Sequence, residues 1–409
     1  MQLLFLSNFY PPASRGGYEQ WCQEVLDGLQ SRGHDIIVLT SDFGKNKLPS
    51  PDPAWVLRSL RLEMELASLK NALQFFTHRK LREQENLKNV HDVIERFKPD
   101  VALIWGMWNL HYSIPALIES RMGMRVVYYM GDYWPTLPNP FKNYWDAPAR
   151  STSKGIPKFL LKPFAKAILA REKRPILRFE HILFPSKFML EQFKEKQIGM
   201  QNTRVINGAI DTIAYLNGNC ARNERISLLY MGRLSNDKGV HVAIKAVGLL
   251  AQTYAIQNFK LTIVGDGEPE YESYLRDLVL EEGVERFVNF LPAQPKESIP
   301  SLYCKADILL FTSIWPEPFG RVIVEAMAAG VAVVGSAVGG AAEILTDNVN
   351  ALVVNPGNVE ALAGKLKQLI ESPALRRRLQ DAARWTAVNQ FDLKLMVDGI
   401  EDYLRALAA

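Results

Sequence analysis

The chain has 409 residues, 48% hydrophobic and 22% charged, with a formal net charge of +4. That length exceeds one ordinary core and implies two or three domains, and the apolar content excludes a disordered chain. So modest a charge argues against an obligate nucleic-acid binder, and Cys22, Cys220 and Cys304, with no Cys-x-x-Cys spacing, read as reduced thiols of a cytosolic protein.

The first residues, "MQLLFLSNFYPP", carry too short an apolar run for a signal peptide, and no segment reaches the roughly 18 apolar residues of a spanning helix. The expectation is a cytoplasmic protein whose membrane association, if any, is confined to a surface. The six histidines show no metal-ligand spacing, so no metal is expected.

In the first half, apolar runs without alternation start at Leu3, Ile36, Val101, Arg125 and His181. Such runs suit strands buried on both faces of a parallel sheet. Between the first two lies "GGYEQWCQEVLDGLQSRGH", an amphipathic helix closed by Gly33. Trp55 to Asp100 reads as long and helical, rich in both charge signs. Ser151 to Phe179 holds eight basic residues and one acid, Glu172, interleaved with Phe159, Leu160, Leu161, Phe164, Ile168 and Leu169. It fits either a solvated helical hairpin or a segment that docks on an anionic membrane surface or a phosphorylated lipid. The second half predicts strands starting at Ser227, Phe259, Phe287, Asp307, Val331 and Ala351. Helices fill the gaps at about 239–253, 269–282, 319–329, 359–371 and 374–389. This alternation implies an α/β architecture of two doubly wound parallel-sheet, Rossmann-like domains. The boundaries expected are 1–205 and 206–389, with a C-terminal helix at about 390–409 packing back on the first domain. The polar stretch Leu216 to Ile226 reads as a linker.

Three motifs carry chemistry. In "PPASRGGYEQW", Gly16 and Gly17 end a strand-to-helix loop, where backbone N–H groups can approach an anion; an empty tight turn would read the same. In "YMGRLSNDKGV", Arg233 offers a planar fork and Lys238 a compact charge after a strand's C-terminal end, a pair suited to a diphosphate. In "SIWPEPFGRVIVEAMAAG", Pro318 suits the first turn of a helix, which puts Glu317 at its mouth and Glu325 roughly 12 Å along it. Two carboxylates so far apart are no close acid/base pair. They suit a long ligand lying along the helix, such as a nucleotide diphosphate sugar. Trp105, Trp108, Trp134 and Trp145 are candidates for stacking on sugar rings, and each is equally ordinary core material.

The ordered set "VINGAID", "GRLSNDKG", "IVGDGE", the two spaced glutamates, "AMAAG" and "VVGSAVGG", with the N-terminal Gly-Gly loop, resembles the retaining glycosyltransferases of the GT-B fold, in the group 1 (family 4) class. The likeness spans nearly the whole chain and is weakest from Leu48 to Arg125. It implies two Rossmann-like domains facing across a cleft and a hexosyltransferase. The donor would be UDP-glucose or another UDP-hexose, and the acceptor a polysaccharide or lipid-linked saccharide of the cell envelope. It further implies that Arg233 and Lys238 neutralise the diphosphate, Glu325 binds the ribose, and Glu317 holds the donor sugar. Backbone N–H groups of Phe319 and Gly320 would join the phosphate site, and Gly16 and Gly17 would close over the diphosphate. No metal or other cofactor would be needed, because two fixed cations stabilise the leaving group. One departure stands out: the family's usual His–Asp pair is here Gly131–Asp132, which leaves Asp132 and puts the sugar contacts in question. A second is Ala332, where proline is common. A sugar-nucleotide epimerase of the same fold and a non-catalytic nucleotide-sugar-binding protein are the competing readings.

Overall fold

The computed structural model describes residues 1–13, 16–66, 71–148, 152–199, 201–216 and 225–408, with backbone alone for 152–157. The chain forms two compact units. The first comprises Met1–Phe184, Leu190–Val205 and Val397–Ala409, the second Pro185–Met189 and Ile206–Met396. Most of the expected linker lies outside the described residues.

The first unit is built on seven strands: β1 (Gln2–Ser7), β2 (Asp35–Ser41), β3 (Val56–Leu60), β4 (Val101–Gly106), β5 (Val126–Tyr129), β6 (His181–Phe184) and β7 (Asn202–Val205). Their order is β3-β2-β1-β4-β5-β6-β7 and every pairing is parallel. Central β4 is buried at every position, as unbroken apolar runs require when helices cover both faces. The two edge strands were not expected. β3 ("VLRSL") lies inside the stretch read as helical, and alternates buried with half-buried residues. Its Arg58 is buried because Asp52 and the carbonyls of Tyr10 and Pro11 take its guanidinium. β7 ("NTRV") is too short and polar to stand out. The helix Gly17–Ser31 joins β1 to β2 and buries Trp21, Cys22, Val25, Leu26 and Leu29. The C-terminal helix Leu393–Ala408 is tied to this unit by Glu401, which accepts from Arg32 at 2.5 Å and lies 3.0 Å from His34 Nε2. The bonds from Arg32 and then His34 hold the Glu401 carboxyl down at about 2.

The second unit has six strands: β8 (Ile226–Met231), β9 (Phe259–Val264), β10 (Val288–Leu291), β11 (Ile308–Phe311), β12 (Ala332–Ser336) and β13 (Leu352–Val354). The order is β10-β9-β8-β11-β12-β13, again all parallel. Helices Val240–Gln252, Pro269–Glu281, Val359–Glu371 and Pro373–Gln390 contribute to a core with Leu228, Leu261, Ile263 and Val334. Each sheet is therefore wound outward from a switch point, between β1 and β4 in the first unit and between β8 and β11 in the second. The loops leaving those neighbouring strands diverge, and the crevice they leave is where such sheets take ligands.

Two sequence expectations are corrected. Cys304 is disulfide-bonded, its partner lying outside the described residues, whereas Cys22 is a free buried thiol; three reduced thiols is wrong. The helix carrying Glu325 starts at Arg321, not at Pro318. Glu317 precedes it in extended chain and Pro318 in a bend, because Glu317 bridges to Gly339 beyond β12 and its carbonyl accepts from Gly340 N at 2.6 Å.

Candidate active site

Arg233, Lys238, Glu317, Phe319, Gly320 and Glu325 all lie in the second unit, at the switch-point end of β8 and β11. The loop leaving β8 turns into a short 3-10 segment, Asn236–Lys238, and then into the helix Val240–Gln252. Gly239 makes that turn at φ 67°, and a Cβ there would lie 2.0 Å from the Thr312 carbonyl oxygen. Only glycine allows the two loops to approach so closely. They are also stitched through backbone: Ile314 and Trp315 N donate to the Asp237 carbonyl at 2.8 and 3.1 Å, and Thr312 Oγ1 donates to the Lys238 carbonyl at 3.1 Å.

This stitching brings Lys238 Nζ to 2.6 Å from Glu317 Oε1, and Ser313 Oγ donates to the same oxygen at 2.7 Å. The two partners in this ion pair keep side-chain exposures of 21% and 12%. They are sheltered from water yet reachable, and Lys238 still has N–H donors to offer. Arg233 is exposed beside them in sequence, its carbonyl fixed by the Tyr230 hydroxyl at 3.1 Å. Ser186 Oγ donates to the Pro318 carbonyl at 2.6 Å, and the Phe319 ring packs edge-on against Phe391. Gly320, at φ 118°, is the N-cap of the next helix. The site thus consists of one cation held by one carboxylate between two helix starts, a place that favours an anion.

Glu325 is buried, and both its oxygens already have partners in the protein. Arg321 Nε donates to Oε1 at 2.8 Å and the Tyr303 hydroxyl donates to Oε2 at 3.1 Å. A carboxylate oxygen has a second lone pair, so a hydroxyl ligand can still be accepted. The sequence reading missed these supports. Arg321 was findable as an (i, i+4) partner; Tyr303, on the unexpected short helix Ile299–Cys304, and Ser313 carried no signal.

Gly16, Gly17, Gly131 and Asp132 belong to the first unit. Gly16 is fully extended and begins the helix at Gly17, so its own backbone angles do not demand glycine; Ser14 and Arg15 of the same loop lie outside the described residues. Gly131, just past β5, does demand it. The ring of Tyr18 lies over it, and a Cβ would meet Tyr18 Cε2 at 2.2 Å. The Tyr18 hydroxyl contacts the carbonyls of Trp105 and Tyr129 and accepts from Gly131 N at 3.1 Å. Space left by a missing side chain at 131 is therefore filled by Tyr18, which the sequence reading did not foresee. Asp132 is partly exposed, and desolvation lifts its carboxyl to about 7, opposed by the Trp134 N–H and aided by Glu19. Such a group exchanges a proton near neutrality. Trp105, Trp134 and Trp145 are core residues at 2% exposure or less, which removes them as sugar platforms.

Two family models match: glycosyltransferase family 4 over residues 15–213 and glycosyl transferases group 1 over residues 217–386. The chain belongs to the group 1 glycosyltransferases. A glycogen synthase of Mycobacterium tuberculosis is 25% identical across 96% of this chain and 91% of its own length. An uncharacterised glycosyltransferase of Methanocaldococcus jannaschii is 35% identical over 38% of this chain, which spans 39% of that protein. Among solved structures, Anabaena HepE in complex with UDP and glucose superposes with a TM-score of 0.69, at 21% identity, covering 99% of this chain and all of that one. At that identity the superposition shows the GT-B fold. The GT-B expectation is met by the two parallel sheets with interleaved helices.

Proposed function

We propose that this protein is a retaining, metal-independent hexosyltransferase that takes a hexose from a UDP-sugar, with UDP-glucose as the first candidate, and passes it to a polysaccharide or lipid-linked saccharide. The observation that carries the reading is the Lys238–Glu317–Ser313 cluster at the second unit's switch point, flanked by two helix starts. Support for UDP and glucose comes from the ligands of HepE.

Breaking the bond from the anomeric carbon to phosphate leaves negative charge on the departing diphosphate. Lys238, Arg233 and the N–H groups around Phe319 and Gly320 would meet that charge without reorganising. Glu317, oriented by Ser313 and Lys238, would accept hydroxyls of the donor sugar. Glu325, propped by Arg321 and Tyr303, would accept the ribose hydroxyls. The acceptor oxygen bonds to the anomeric carbon on the face the phosphate leaves, and its proton passes to the leaving phosphate oxygen. Asp132 is proposed as a further sugar contact, and Gly16 and Gly17 as a diphosphate contact, on the family likeness alone. Because the cations are the protein's own, chelators should leave turnover unchanged.

The test is a panel of nucleotide sugars offered to the purified protein with and without saccharide acceptors, followed by product analysis. UDP release with an α-linked product from an α-linked donor supports the proposal. An epimerised donor, or no binding to any UDP-sugar, refutes it.

A further inference from the structure

The helix Thr152–Arg171 of the first unit sorts its residues in an unusual way. Leu161, Ala165 and Leu169, one turn apart, pack inward on Phe75, Phe141 and Trp145. At 100° per residue Phe159 lies on the far side of the wheel, while Leu160, Phe164 and Ile168 form a second stripe, one turn apart, on the flank next to the packed one. Their exposures are 77%, 61%, 66% and 37%. Ile176, shortly beyond the helix, is 93% exposed, and the neighbouring helix Asn71–Thr77 exposes Leu73 at 61%.

Single exposed apolar residues need no explanation, but an exposed stripe of three on one helix, with a fourth beyond it, does. The charges around them indicate what covers the face. From Lys158 to Arg178 there are seven basic residues and one acid, Glu172, and that acid is engaged by Arg79. Lys162 and Lys166 are turned to Asp146 along one flank of the helix, and Lys158 lies over the Tyr144 ring. Arg171 and Lys173 are exposed just past the apolar face. A second copy docking through the same face would bring two cationic arrays together, which is unfavourable.

We infer that this face rests on the surface of a bilayer containing anionic lipid. The apolar side chains enter the headgroup boundary and the basic ones meet the lipid charges. Among the described residues no helix is long and apolar enough to cross a membrane, so the helix lies in the interface. The inference stands apart from the donor chemistry.

The experiment is sedimentation of the full chain with vesicles of phosphatidylcholine, alone or mixed with phosphatidylglycerol, at low and high salt. Binding should require phosphatidylglycerol and weaken with salt. Phe159→Ser/Phe164→Ser should lower it by about ten-fold or more, from the apolar area lost. Arg171→Glu/Lys173→Glu should also lower it by about ten-fold or more, from charge. All four positions are exposed, so unchanged thermal melting and unchanged UDP release in solution are expected of both variants. Equal binding to both vesicle types, or wild-type binding by either variant, overturns the inference. So does a vesicle-free dimer that Phe159→Ser/Phe164→Ser dissociates.

Discussion

Substituting Gly131 by alanine tests the packing of Tyr18 over the end of β5. The added Cβ would sit 2.2 Å from Tyr18 Cε2, 2.6 Å from Cδ2 and 3.1 Å from Cζ. The ring cannot simply retreat. Its hydroxyl is held by backbone at Trp105, Tyr129 and Gly131, and its face stacks on Trp105 at 5.7 Å. Swinging it out would lose two hydrogen bonds, each worth about 1 kcal/mol. Leaving it in place compresses the core, at about 1–3 kcal/mol. By either route Gly131→Ala should destabilise the first unit by roughly 1–3 kcal/mol, about 2 being central. Urea unfolding followed by tryptophan fluorescence reads this directly, since Trp105 stacks on the ring concerned. The decisive comparison repeats the substitution in a Tyr18→Ala background, where the clash is gone. There the cost should fall below about 1 kcal/mol, so the cycle shows a coupling of more than about 1 kcal/mol. Equal cost in both backgrounds, or a Gly131→Ala protein as stable as wild type, would refute the reasoning.

Lys238→Met should abolish UDP release while leaving a folded protein; unchanged kcat/KM would remove Lys238 from the site. Tyr303→Phe keeps the ring but withdraws one donor from Glu325, and should weaken UDP binding by about ten-fold or less, as loss of a hydrogen bond to a charged group does, with a calorimetric titration as readout. Asp132 binds its proton more tightly folded than unfolded, so its carboxyl lowers stability as pH rises from about 4 to about 7, and no further above that. The full span corresponds to at most roughly 4 kcal/mol, less where water reaches the carboxyl. Asp132→Asn should flatten that slope and gain stability most at pH 8, measured as urea midpoints across pH; parallel profiles for both proteins would contradict the assignment.

Of the thirteen strands among the described residues eleven were legible, five in the first sheet and all six in the second, because double-sided burial demands continuous apolar runs. The two that escaped, β3 and β7, are short edge strands of the first sheet and each carries an arginine, which interrupts the apolar run. Arg58 in β3 makes the point: a charge in a five-residue run reads against a strand until Asp52 and two carbonyls are found around it. The helix start was misread for a related reason. Proline at 318 is compatible with a first turn, but the Glu317–Gly339 bridge holds Glu317 in extended chain and a bend at Pro318 and Phe319 delays the helix to Arg321.

Residue types and their order along the chain were enough to establish two parallel-sheet units, a diphosphate-suited cation after one strand and two carboxylates before and within one helix. These are properties of local pattern, since burial period and turn chemistry are written over a few consecutive residues. Which groups touch was decided only by the tertiary fold. Lys238 meets Glu317 across 79 positions, Tyr18 meets Gly131 across 113, and Tyr303 supports Glu325 from a short helix of its own. Such contacts depend on strand order and on loops that pack backbone to backbone. A linear chain does not encode those distances locally, because each arises only when the sheet of its own unit has formed.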